Sequence, residues 1–130
     1  MKEYLVTASQ MKRYDTNTIE KCHIPALVLM ERAALVTVEE LRRVCGNHPY
    51  RILVVAGGGN NGGDGLAVGR LLMLEGCHVT YALLGDEKKC SPETARQADI
   101  VRAYKAQIFS TIQDGEYDIV VDALFGVGLS

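Results

Sequence analysis

A chain of 130 residues is one domain by length and can bury a core of its own. With 48% hydrophobic residues, 23% charged residues and 13 glycines, its composition is that of an ordinary soluble globular protein. The net charge of -2 gives no electrostatic reason to bind nucleic acid or an anionic membrane, and no apolar run approaches the about 20 residues of a membrane span.

The N-terminal stretch "MKEYLVTASQMKRYD" lacks the apolar run of a signal peptide, so a cytoplasmic protein is expected. Cys22, Cys45, Cys77 and Cys90 form no C-x-x-C pair, and His23, His48 and His78 complete no zinc spacing. Free thiols in a reducing compartment follow, and the histidines are assigned no role.

A first helix is expected from Ser9, a good N-cap residue, to about Cys22, with Met11, Tyr14, Thr18 and Ile19 on its apolar face. Pro25 opens a second helix, where its missing N–H costs nothing. There Leu27, Met30, Ala34, Val38, Leu41 and Cys45 recur at helical spacing, and Gly46 is a natural stop. Glu31 and Arg32 flank this stripe and are expected to be solvated.

Beyond Gly46 the pattern changes. "RILVVAG" is short, β-branched and continuous, as in a strand covered on both faces. "LAVGRLLMLEG", from Leu66 to Gly76, is helical in length and apolar nearly all round, with Gly69 permitting close helix–sheet approach. "HVTYALLG" reads as a second strand. "SPETARQADIVRAY" reads as a helix capped by Ser91, with Pro92 in its first turn. "AQIF" is a candidate short strand, and "YDIVVDALFG" a further strand holding Asp122. This βαβ alternation implies a mainly parallel sheet with helices on both faces, which binds ligands outside the carboxyl ends of its strands.

The segment "GGGNNGGDG", Gly57 to Gly65, lies at such an end. Three readings compete. Gly57, Gly59 and Gly62 fit G-x-G-x-x-G, and Asp86 follows the next strand, as in a dinucleotide fingerprint. Against this, the helix is expected to start only after Gly63, where Asp64 would repel a pyrophosphate at its N-terminus. A phosphate-cradling P-loop fails, because no Lys followed by Ser or Thr is present. The third reading makes Asp64 a helix N-cap, an effect of about 1 kcal/mol. It leaves Asn60 and Asn61 unexplained; their amides suit a neutral polar ligand edge or a weakly held cation with oxygen ligands.

Asp122 stands between "IVV" and "ALF" and is expected to be largely buried, so it needs hydrogen-bond donors or a positive partner. It either binds backbone N–H groups of the loops beside it or, with an asparagine oxygen from the turn, holds one monovalent cation. "GVGLS", Gly126 to Ser130, would line the same pocket if the two strands are neighbours.

"GGGNNGGDG" before an apolar helix, followed by "DALFGVGL", resembles the YjeF N-terminal domain family of NAD(P)HX epimerases. "ASQMKRYD" and "LVLMERAA" are similar to that family's opening helices, so the likeness runs from about Ser9 onward. Two departures are small: the family usually has Thr or Ser where Val127 stands, and often another small residue or Pro at Gly58.

The resemblance implies a Rossmann-like three-layer αβα sandwich and NAD(P)H-hydrate epimerase activity, interconverting the R and S forms of hydrated NAD(P)H for cofactor repair. Carried over, Asn60, Asn61, Gly62, Gly63 and Asp64 would contact the hydrated nucleotide, together with Gly126, Val127, Gly128, Leu129 and Ser130. Asn61 and Asp122 would be potassium ligands. A homodimer is expected, with an NAD(P)H-hydrate dehydratase domain or protein as functional partner.

The family's domain continues beyond this point. Its later strands, the aspartate expected to transfer protons and a further cation ligand have no counterpart up to Ser130, so no catalytic residue is assigned. Residues 1–130 read as the N-terminal part of one such domain. A sheet ending at "IVVDALF" is also expected to leave a long apolar edge, to be completed by further residues or another chain. Two other functions stay open: a non-catalytic scaffold or dimerisation module of the same fold, and an NAD(P)-dependent oxidoreductase.

Overall fold

The computed structural model describes residues 4–7, by their backbone, and residues 23–125. In chain order these form β1 (Tyr4–Thr7), α1 (Ala26–Cys45), β2 (Arg51–Ala56), α2 (Asn60–Leu74), β3 (His78–Leu83), a 3-10 turn (Glu87–Lys89), α3 (Pro92–Ala103), β4 (Ile108–Phe109) and β5 (Ile119–Ala123). The five strands form one sheet in the order β1-β5-β2-β3-β4, with every pair parallel. The helix expected from Ser9 to Cys22 lies outside the described residues.

α2 is the middle of the helical layer. It lies against β2, β3 and β5 and packs between α1 and α3. Its apolar residues Leu66, Ala67, Val68 and Leu72 are fully buried. Gly69 permits the approach: a Cβ there would stand 2.7 Å from Val54 Cγ2 and 2.8 Å from Tyr81 Cε1. The facing strand residues Ile52, Val54, Tyr81, Ile119 and Val121 join this core. Leu53 and Val55, on the alternate pleat, are buried too, so the central strand is covered on both faces.

α1 starts behind Pro25 and stops at Gly46, whose φ of 83° is left-handed and whose N–H donates to Arg42 O at 2.7 Å. Its buried stripe is Leu29, Met30, Ala33, Ala34, Thr37, Val38 and Leu41. Glu31 departs from expectation. It is ion-paired with Arg70 of α2, whose side chain is only 8% exposed, so the pair ties the two helices together.

The apolar edge expected at "IVVDALF" does not exist, because β5 lies inside the sheet between β1 and β2. The strand missed in the sequence, β1, is what flanks it. Four residues, "YLVT", are too short a run to signal a strand by pattern.

Candidate functional site

β2 and β5 end side by side. Val55 pairs with Asp122 and Ala56 with Ala123, and the Gly57 N–H continues the ladder to Ala123 O at 3.0 Å. The chain runs from β2 outward through β3 and β4 and then returns to β5 on the other side of β2. Strand order therefore reverses between β2 and β5, the place where open α/β sheets bind ligands.

The glycine segment is more helical than its composition suggests. α2 begins at Asn60, with Gly59 at its N-cap, not after Gly63. Asp64 therefore lies beyond the first turn, is half-buried and is not the N-cap residue. No acidic side chain stands in the first turn, so the electrostatic objection to an anion there is removed. Packing overrides glycine's poor helix propensity here. A Cβ on Gly62 would stand 1.8 Å from Gly57 O, and one on Gly63 would meet Thr94 Oγ1 at 2.9 Å and Met30 at 3.1 Å. Gly62 and Gly63 are thus demanded by the fold itself. Asn60 is exposed in the first turn, and Asn61 beside it is half-buried.

α3 braces this loop through a cap that sequence reading assigned only to the helix. Ser91 Oγ accepts from the Thr94 N–H at 3.2 Å. The Ser91 N–H donates to Gly58 O at 2.8 Å, and Thr94 Oγ1 donates to Gly59 O at 2.7 Å. Cys90 lies under Gly58, and burial first, then Glu87 and Asp86, push its thiol pKa upward and make it a poor nucleophile. The fingerprint's acid, Asp86, instead caps the 3-10 turn by accepting from the Lys88 N–H at 3.0 Å.

Asp122 is half-buried, not largely buried, since it is the penultimate residue of β5, next to the loop that follows. Its Oδ1 accepts from the Leu124 N–H at 3.2 Å, and no Lys or Arg among the described residues pairs with it. The buried carboxylate nearby is Asp118, the residue that immediately precedes the opposite end of β5. Asp118 accepts from the Arg51 N–H at 2.9 Å and from the Arg51 guanidinium at 3.2 Å, which hold its pKa below the usual carboxylate value. Gly126, Val127, Gly128, Leu129 and Ser130 lie outside the described residues.

Cys77 and Cys90 are free thiols. Among the described residues no group of three His, Cys, Asp or Glu side chains gathers to hold a metal. None of the described helices is long and apolar enough to cross a membrane. A groove of about 260 Å³ opens between the starts of α1 and α3, lined by Pro25, Ala26, Leu27, Pro92, Glu93 and Arg96, and includes none of the nucleotide- or cation-binding residues expected from the sequence.

Comparison with known proteins gives the lineage. The family described as YjeF-related protein N-terminus matches residues 26–130. The chain is 46% identical over 127 residues to a Weissella koreensis protein named NAD(P)H-hydrate epimerase, covering 96% of this chain and 57% of that one. It is 42% identical over 130 residues to a Limosilactobacillus reuteri protein of the same name, covering 99% and 61%. A Levilactobacillus brevis protein, also so named, is 43% identical over 129 residues, covering 96% and 58%. The chain therefore spans between 57% and 61% of the lengths of these curated relatives. The crystal structure of yeast ynu0, YNL200c, has the same fold, with a TM-score of 0.74 at 22% identity over 97% of this chain and 58% of that one.

Proposed function

The chain belongs to the YjeF-related N-terminus family, and from that premise we propose that it acts as an NAD(P)H-hydrate epimerase, with residues 1–130 as the N-terminal part of one such domain. Hydrated NAD(P)H is its substrate, and interconversion of the R and S forms serves cofactor repair. The observation that carries this reading is the junction of β2 and β5, where the glycine loop and Asp122 leave the sheet from paired positions.

The residues fit a potassium ion. The Asp122 carboxylate is half-buried, has one oxygen committed to the Leu124 N–H and has no basic partner among the described residues. Asn61, half-buried in the first turn of α2, offers an amide oxygen, and such hard oxygen donors suit an alkali cation. Asn61 and Asp122 would hold it. When bound, the ion would supply positive charge that offsets the Asp122 carboxylate.

Asn60 to Asp64 and Gly126 to Ser130 hold the nucleotide. The first turn of α2, free of acidic side chains, favours a phosphate there. Epimerisation proceeds by reversible loss and return of the hydroxyl at the hydrated ring carbon. The substrate's ring nitrogen stabilises the cation, and a carboxylic acid outside these residues moves the proton. The working protein is a cytoplasmic homodimer that feeds an NAD(P)H-hydrate dehydratase.

Feeding R-configured NADPH hydrate to the complete domain that contains residues 1–130, with an S-specific dehydratase and with and without potassium, tests the assignment; residues 1–130 alone are expected to be inactive. Conversion of the R form supports it; absence of any conversion refutes it. Labelled water must also enter the recovered epimer, since exclusion of the label rules out the hydroxyl-loss route. An NAD(P)-dependent oxidoreductase draws support from the helix start at Asn60, which suits a dinucleotide fingerprint. It predicts redox turnover of NADPH, which the same assay reads at 340 nm, a wavelength set by the reduced nicotinamide. A non-catalytic scaffold predicts neither.

A further inference from the structure

The glycine loop has nothing of its own to hold it. Gly57, Gly58 and Gly59 carry no side chains, and Gly59 has open space where a Cβ would be. Its carbonyls are held by α3. Gly58 O takes the Ser91 N–H at 2.8 Å, and Gly59 O takes the Thr94 hydroxyl at 2.7 Å. Gly59 O also accepts the Gly62 N–H at 3.0 Å, the bond that starts α2. The Thr94 hydroxyl is itself oriented, since Ser91 Oγ lies 3.1 Å from Thr94 Oγ1 and can donate to it while Thr94 donates to Gly59. Thr94 is fully buried, so this hydroxyl does not trade its bond for one to water.

We propose that Thr94 is a positioning residue for the nucleotide-binding loop, acting through the Gly59 carbonyl. Pinning the Gly58 and Gly59 carbonyls to α3 fixes the backbone of the segment that leads from the end of β2 into the first turn of α2. The loop is then held in its ligand-ready shape before any ligand arrives, which lowers the ordering cost of binding. The inference rests on the epimerase reading only for its kinetic test.

Two readouts separate the outcomes. Amide hydrogen exchange in the ligand-free protein reports the brace directly. Thr94→Val should speed exchange of the Gly62 amide about tenfold, the effect of one lost hydrogen bond, and Thr94→Ser should restore the native rate. In the epimerase assay the same Val variant should raise KM for hydrated NADPH about tenfold with kcat little changed, as for a contact that serves ground and transition states alike. Val101→Ala is the stability control, because it removes a fully buried side chain from the last turn of α3 and keeps both the Ser91 and the Thr94 hydroxyl. Its Gly62 exchange and KM should stay within about twofold of native despite a lower melting temperature.

If Thr94→Val does not fold, Thr94→Ala makes the same deletion with less steric demand and is read the same way. Unchanged Gly62 exchange in the Val or Ala variant of Thr94 overturns the proposal, and so does a KM that moves equally in Val101→Ala. A native protein without epimerase activity overturns the functional reading, while the exchange result still decides the role of Thr94.

Discussion

The Gly57 amide donates to the Ala123 carbonyl at 3.0 Å, one step beyond the last paired residues of β2 and β5. Two segments far apart in sequence therefore leave the sheet from one fixed point. A Cβ on Gly57 would stand 2.5 Å from Leu124 O, so the segments also touch as they depart. What either holds is shared geometry, and this makes Asp122 and the glycine loop parts of one candidate site.

Gly62 should tolerate no side chain. Gly62→Ala places a Cβ 1.8 Å from Gly57 O, a backbone atom tied to the sheet, and is expected to cost ~3 kcal/mol or more, or to prevent folding. Gly59→Ala meets no atom within 4 Å and should cost under about 1 kcal/mol. Urea unfolding of both variants checks the contrast; equal losses would mean that close packing does not set these positions.

Asp122→Asn keeps an oxygen for the Leu124 N–H but removes the charge. Native protein should melt higher in potassium than in choline, by the linkage of binding to folding, with ~2.7 kcal/mol at a hundredfold excess over Kd. The variant should melt at the same temperature in both salts. A melting temperature of the native protein indifferent to potassium would remove the cation from the site.

Acid stability should depend on Asp118. The Arg51 N–H first, and then its guanidinium, depress the Asp118 pKa in the folded chain. The unfolded chain binds that proton at higher pH, so the stabilisation is complete above the ordinary aspartate value of about 3.9 and disappears as pH falls through the lower folded value. Asp118→Asn should flatten the acid limb of a plot of urea midpoint against pH while shifting it little between pH 6 and 8 relative to its own plateau.

The ion pair between Glu31 and Arg70 is asymmetric. Arg70 is buried, whereas the Glu31 side chain is 38% exposed. Glu31→Ala strands a buried guanidinium and should cost about 3 kcal/mol. Arg70→Met leaves Glu31 free to turn to water and also removes Arg70 Nε, which is buried without a hydrogen-bond partner among the described residues; its cost should be smaller. Thermal or urea unfolding that ranks the two in the opposite order would contradict this account.

Local pattern carried much of the fold. The continuous β-branched run of β2, the Ser91–Pro92 start of α3 and the Gly46 stop of α1 all follow from short-range rules, and all lie where those rules put them. What escaped was set by partners distant in sequence. The helical turn through Gly62 and Gly63 is packed closely on Gly57, Met30 and Thr94, so composition alone made a helix look like a loop. Strand order decides whether β5 is an edge, and no residue of β5 encodes that β1 lies beside it. Glu31 looked solvated because Arg70 is on another helix. In the candidate site the residue types were legible in "GGGNNGGDG" and "DALF", while the brace from Thr94 needed the packing of α3 against α2 to be seen.

The place of β5 between β1 and β2 also bears on how the chain acquires its shape. Tyr4 pairs with Ile119, so the earliest strand has no sheet partner until the latest of the described strands has been synthesised. Until then the flank of β2 that will receive β5 stays open on the ribosome. Such high-contact-order closure is slow and leaves an apolar strand available to neighbouring nascent chains, which makes the interval before β5 docks the vulnerable stage of biogenesis.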